Sequence, residues 1–198
     1  MVIIMKPFLL GIAGPSCSGK STVAQTLKSL FPDTVVVSLD NYWTDSIPSK
    51  DDVHVGDPQG LNFDLLVENL KELAAGQETD GPVRSQAGSS LHVIKPVSLV
   101  IVEGVLLFYD SRVCALFDMK VYLDVPVDVI VKRMIARSHV AVHEVYYAQT
   151  VAQEYHKYGI PMSEKADLVV DALVSPSSTA YYIADQVRKR RLRARRGP

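Results

Sequence analysis

Residues Gly14-Pro15-Ser16-Cys17-Ser18-Gly19-Lys20-Ser21 form an uninterrupted G-x4-G-K-S sequence, and their flanks leave few folds open. Phe8 to Ala13 is a continuous apolar run, broken only by Gly11, that leads straight into it and reads as a buried strand. Beyond it, Val23, Leu27 and Leu30 recur at helical spacing, so a helix starts at Lys20 and closes at Pro32. Strand, glycine-rich loop and helix in that order make an anion cradle. Consecutive backbone N–H groups turn into one concavity, and the helix dipole adds positive potential. The expectation is a phosphate-binding loop of Gly14, Pro15, Ser16, Cys17, Ser18, Gly19, Lys20, Ser21 and Thr22 that takes a nucleoside triphosphate. Lys20 reaches the β- and γ-phosphates and the Ser21 hydroxyl holds Mg2+. Cys17 has the helix-N-terminal location that activates a thiol, but it reads first as a small filler.

The rest of the chain alternates in the same way. Val35 to Leu39 is a second buried strand, and Leu99 to Val102, Met119 to Leu123 and Leu168 to Val170 are three more. Between them, helical patterns run from an Asn62 or Asp64 cap to about Gly76, from Asp128 to Arg137, and from His143 to Tyr158, where Gly159 and Pro161 stop it. A last helix spans about Thr179 to Arg193. Asn41 to Gly60 and Gln77 to Ser90 read as loops, while Leu91 to Ile94 is strand-like. Strands that are apolar throughout, separated by helices, imply a parallel sheet of five strands covered on both faces. Ligands of such sheets bind at the carboxyl ends of the strands. Asp40 and Glu103 each follow a strand directly, so both fall on that edge beside the phosphate loop. A carboxylate there orients an acceptor hydroxyl and takes its proton, and a second anchors a metal. The structural alternatives are a turn or helix cap for Asp40 and an acid paired with arginine for Glu103.

Length and charge narrow the classes. One domain suits 198 residues. The formal net charge of -1 conceals an asymmetry, since seven of the 21 Lys and Arg lie in residues 188–198, leaving 14 bases against 22 acids before them. So acidic a body, net -8, is no general nucleic-acid binder. The tail alone offers RNA or an acidic partner a surface, although a solvated helix end is the plainer reading. Two cysteines make no disulfide framework, which points to a reducing cytoplasm. No apolar run is long enough to cross a membrane, and the opening MVIIMKPFLLG, split by Lys6 and Pro7, does not read as a signal peptide.

Further segments make the pattern specific. The phosphate loop, VVSLDNYW, DPQGLNFDLLVENL, IVEGVLLFYDSRVCALFDMKVYLDVPVDVIVKR and IPMSEKADLVV, spread from about Phe8 to Val170, resemble the uridine kinase and phosphoribulokinase group of P-loop kinases. EGVLLFYD and LFDMKVYLD are closest to uridine–cytidine kinases. The resemblance implies a three-layer P-loop NTPase fold in a single domain, residues 1–187, with a small lid at about 133–146 and a basic tail at 188–198. It implies ATP and Mg2+, a nucleoside 5′-hydroxyl as acceptor, and homo-oligomers, which are common in the group. Asp40 takes the place of the catalytic carboxylate, and Trp43 that of an aromatic beside the substrate. Asp57 resembles the acid that binds the ribose hydroxyls, with one residue fewer before the proline, and Glu103 matches the acid near Mg2+. Arg133 matches a lid arginine facing the phosphates, with Arg137 beside it.

Two stretches depart from the group. Its pyrimidine-reading Tyr-Asp-Phe is replaced by Gly81-Pro82-Val83-Arg84-Ser85-Gln86, and the arginine-rich part of its lid by Ser138-His139-Val140-Ala141-Val142-His143. Nicotinamide riboside or another ribosyl or sugar acceptor is therefore the second reading. A nucleotide-binding protein of weak catalysis that uses its tail on RNA is a third. His92 reads as an edge residue, and His139 with His143, four apart, as a solvated face rather than a metal pair. Tyr147, Tyr155 and Tyr158 share a helical spacing with Tyr146 nearby, which favours packing on the sheet over stacking on a nucleobase.

Overall fold

The computed structural model describes residues 6–44, 58–85, 88–137 and 144–196. Strand β1 (Phe8–Ala13) runs into the phosphate loop and helix α1 (Lys20–Leu30), followed by β2 (Thr34–Ser38) and α2 (Phe63–Ala74). Next come β3 (Thr79–Ser85), β4 (Gly88–Ile94), β5 (Leu99–Gly104), α3 (Ser111–Cys114) and β6 (Met119–Asp124). Helices α4 (Val127–Arg137), α5 (Glu144–Glu154) and α6 (Ile160–Glu164) precede β7 (Leu168–Asp171) and α7 (Pro176–Arg196).

The five expected strands form one parallel sheet in the order β2-β5-β1-β6-β7. Alternate residues of β1 feed two cores. Phe8, Leu10 and Ile12 pack with α1, α4 and α7, whereas Leu9 and Ala13 pack on the other face with α2 and Phe108. This two-sided burial is why the strands are apolar throughout instead of alternating. At the start of α2, the Asn62 carboxamide accepts from the Leu65 N–H at 3.0 Å, which settles the cap in favour of Asn62 over Asp64.

Two expectations need correction. Residues 79–85 and 88–90, most of the stretch expected to be loop, form an antiparallel hairpin with the strand-like Leu91 to Ile94, pairing Thr79 with Ile94 and Ser85 with Gly88. Its outward residues Leu91 and Val93 are exposed and its sequence holds Gly81 and Pro82, so no buried face imprints an alternating pattern. The helix expected to stop at Gly159 continues as a π-turn, Tyr155–Gly159, into α6. Pro161 lies in the first turn of α6, where a missing N–H costs nothing.

Helix α7 carries the basic residues. Arg190 donates to the Asp118 carbonyl at 2.6 Å and pairs with Asp167 at 3.1 Å, tying α7 to the sheet. Lys189 pairs with Asp185, and Arg188 lies 5.0 Å over the Phe31 ring. Among the described residues, no helix is long and apolar enough to cross a membrane.

The hairpin is joined to the body by buried polar groups. Tyr42, in the helical turn Leu39–Tyr42 that carries Asp40, donates its phenol O–H to the Asn69 carboxamide at 2.9 Å. The same Asn69 donates to Thr79 Oγ1 at 2.7 Å and to the Asp80 carbonyl at 3.4 Å, and Thr79 in turn donates to Glu72. Asn69→Ala orphans several of these groups at once. Urea denaturation is expected to show a loss of about 1–3 kcal/mol; a loss below about 0.5 kcal/mol contradicts this role.

Candidate active site

The phosphate loop leaves β1 at Ala13 and enters α1 through Gly19. Gly14 has φ +155, and a Cβ there would lie 2.6 Å from the Leu123 carbonyl oxygen on β6. Only glycine lets the loop rest on that strand. Cys17 adopts a left-handed φ of 59, and its carbonyl accepts from Arg133 at 3.2 Å. The Cys17 residue thus serves the loop through its backbone, consistent with its reading as a small filler.

Lys20 is buried at the mouth of the loop, and its ammonium donates to the Pro15 carbonyl at 2.8 Å. Burial holds its pKa below the usual lysine value, against the opposing pull of the Glu103 and Asp40 charges, and Arg137 lowers it further. A cation so desolvated beside backbone N–H groups is placed for an anion.

Glu103 stands one residue before the end of β5, between β1 and β2, and is 6% exposed. Ser38, the last residue of β2, donates to its Oε1 at 2.8 Å, and Ser21, on α1, donates to its Oε2 at 3.3 Å. Among the described residues its hydrogen bonds come from these two hydroxyls and not from the arginine of the structural alternative. Sequence reasoning missed Ser38; the signal was a hydroxyl ending the apolar run Val35-Val36-Val37. Asp40 follows in the helical turn after β2, exposed, with no hydrogen-bond partner among the described residues and its charge acting on Lys20. It is not spent as a cap. Asn41 accepts from the Arg84 N–H at 3.2 Å, which sets the hairpin beside Asp40. Trp43, half-buried, bridges to Leu61 and lies against Gly60.

From the opposite side α4 supplies two cations. Arg133 donates to the carbonyls of Cys17 and Ala172, and Arg137 to the Ser16 hydroxyl at 3.3 Å. Four residues apart, they share the helix face over the loop. A cavity opens on the flank of the loop, with about 630 Å3 of free space including open solvent, between Cys17, Ser18, Arg133, Val174, Pro176 and Thr179. The hydroxyls of Ser18 and Thr179 are buried there without hydrogen-bond partners among the described residues. Thr179 was missed too, since a threonine inside a helical pattern carries no site signal.

The structure therefore brings Lys20, Ser21, Asp40, Glu103, Arg133 and Arg137 to one edge of the sheet. Thr22 lies on the exposed side of α1. Asp57, His139 and His143 lie outside the described residues, as does most of the span expected to form the lid.

Comparison with known proteins adds a second line. The model of the phosphoribulokinase / uridine kinase family matches residues 9–178. A uridine kinase of Borreliella burgdorferi (strain ZS7) is 30% identical over 175 residues, covering 82% of this chain and 85% of that protein. One from Streptococcus equi subsp. zooepidemicus is 27% identical over 189 residues, 87% of this chain and 91% of that protein. Among solved structures, a possible uridine kinase from Bacillus stearothermophilus superposes with TM-score 0.58 at 21% identity, covering 84% and 90% of the two chains. Phosphoribulokinase from Rhodobacter spheroides does so with TM-score 0.63 at 12% identity, covering 87% and 74%. At those identities the two structures show a shared fold.

Gly14→Ala tests the loop's rest on β6. Since the Leu123 backbone oxygen cannot swing aside, the substitution is expected to cost roughly 1–3 kcal/mol in thermal unfolding. An unchanged melting temperature contradicts the contact.

Proposed function

This chain belongs to the phosphoribulokinase / uridine kinase family and is a phosphotransferase acting on a hydroxyl group, and on that premise we propose that it transfers the γ-phosphoryl of ATP to the 5′-hydroxyl of a nucleoside, uridine or cytidine first. The observation that carries the reading is the exposed Asp40 carboxylate, near enough for its charge to act on the buried Lys20 ammonium of the loop. In such an arrangement Asp40 orients the acceptor hydroxyl and takes its proton. Lys20 leaves the Pro15 carbonyl for the β- and γ-phosphates, and Arg133 and Arg137 turn from the loop to the charge spread over the transferring group. Catalysis is then positioning and electrostatics.

The residues present fit both ATP and Mg2+. The unpartnered hydroxyls of Ser18 and Thr179 suit the base and sugar end of a nucleotide whose phosphates lie in the loop. Ser21 Oγ and Glu103 Oε2, 3.3 Å apart, suit an ion that keeps most of its waters and takes few protein ligands. Bound there, Mg2+ would neutralise charge between the β- and γ-phosphates. No cluster of three or more acidic, histidine or cysteine ligands occurs among the described residues, and an ion held chiefly by phosphates and water needs none. Trp43 and Asp57 are assigned to the acceptor. A cytoplasmic setting is the natural one for the free thiols Cys17 and Cys114.

A ribosyl or sugar acceptor other than a pyrimidine nucleoside is the second reading, favoured by a hairpin whose strands, Thr79–Ser85 and Gly88–Ile94, include no tyrosine or phenylalanine. The tail has fewer charges to offer RNA than its sequence suggests, because three of its seven cations, Arg188, Lys189 and Arg190, are engaged within the chain. Asp40→Asn is the discriminating variant. Its turnover is expected to fall roughly a hundred- to ten-thousandfold while calorimetric ATP affinity stays within twofold. Near-normal turnover would remove Asp40 as the base.

A further inference from the structure

Between Pro15 and Ser16 of the phosphate loop and helices α4 to α6 lies a narrow cleft, with about 420 Å3 of free space that includes open solvent. Its walls are apolar: Val105, Ile130, Met134, Val151, Tyr158 and Met162. Three groups break that character. The Tyr122 phenol, on β6, is completely buried and has no hydrogen-bond partner among the described residues. Burial pushes its pKa well above the usual tyrosine value, so at neutral pH it remains an O–H donor. Tyr155 donates to Asp124 at 2.9 Å and turns its ring to the cleft, and Glu154 contributes a carboxylate.

The backbone is shaped around this place. Tyr155, Tyr158 and Gly159 belong to the π-turn between α5 and α6, an irregularity that recurs at functional sites. A Cβ on Gly159 would stand 3.0 Å from the Tyr122 hydroxyl and 2.8 Å from the Tyr155 ring, so the turn closes over the phenol only as glycine. An orphaned phenol costs stability unless a ligand supplies its acceptor.

We propose that this cleft receives the base of the acceptor nucleoside, a flat neutral heterocycle with a ring carbonyl that accepts from Tyr122 and a ring N–H that donates to Glu154. The proposal rests on the nucleoside kinase reading and supplies what the hairpin lacks, an aromatic-lined place for the ring. Apolar walls accept the faces of such a ring, and its narrowness favours flatness. A bare sugar fits poorly, because its hydroxyls would outnumber the polar groups of the cleft and lose their water without replacement.

The chain's five methionines give the test. In protein labelled with 13C-methyl methionine, uridine is expected to shift Met134 and Met162, which line the cleft, and to leave Met119, in the core beneath the sheet, unmoved. Tyr122→Phe is expected to raise the uridine KM about tenfold with the ATP KM within twofold. The melting temperature should not fall, because no hydrogen bond within the chain is lost. A phenol that only fills space predicts no change in KM. If uridine is phosphorylated while both methionines stay still and Tyr122→Phe keeps its KM, the base lies elsewhere and the proposal is overturned with the nucleoside reading intact. If the wild-type chain neither binds nor phosphorylates any nucleoside, both fall together.

Discussion

Glu103 holds the working edge of the molecule together. Its buried carboxylate receives one hydroxyl from the end of β2 and another from the start of α1, and its charge acts on Lys20 as well. The sheet order makes this possible, because β5 lies between β1 and β2 and so stands between the phosphate loop and the Asp40 turn. Two segments that leave different strands are thus referenced to one rigid group on a third. A buried charge is costly without such partners, and here hydroxyls and an ammonium meet it.

Around that edge the molecule divides its tasks by element. The sheet and α1 fix the loop, while α4 reaches in with Arg133 and Arg137, whose bonds to the Cys17 carbonyl and the Ser16 hydroxyl are ones that phosphate oxygens can replace. The hairpin is tied to the body at its base through Asn69 and Thr79, and towards its tip through Asn41 and the Arg84 N–H. The seat proposed for the base, against Tyr122, lies between the loop and helices α4 to α6.

What the sequence disclosed follows from where burial leaves a pattern. The runs Phe8–Ala13 and Leu99–Val102 are apolar on both faces, so their boundaries were legible almost to the residue, and the glycines and lysine of the loop followed from their order. Asp40 and Glu103 were legible because each stands directly after such a run. The hairpin was not, since Gly81, Pro82 and the serines of β4 gain their pairing from chain far along the sequence and bury little. The π-turn was hidden by Gly159 and Pro161, residues that usually end helices but here fit a glycine-only contact and a first-turn proline. Tyr122 was read as one more apolar strand residue; only the structure shows that its hydroxyl has no partner among the described residues. Thr179 depends on neighbours in space and left no local signal, and Ser38 showed only as a hydroxyl at the end of an apolar run.

The central claim, phosphoryl transfer to a nucleoside, is tested most directly by Mg2+-dependent ADP release from ATP with uridine, cytidine, adenosine, nicotinamide riboside, ribose and pantothenate offered in turn. The account predicts strong stimulation by uridine or cytidine and little by ribose or pantothenate. Stimulation by ribose or pantothenate alone, or by none of the six while ATP is bound, would contradict it.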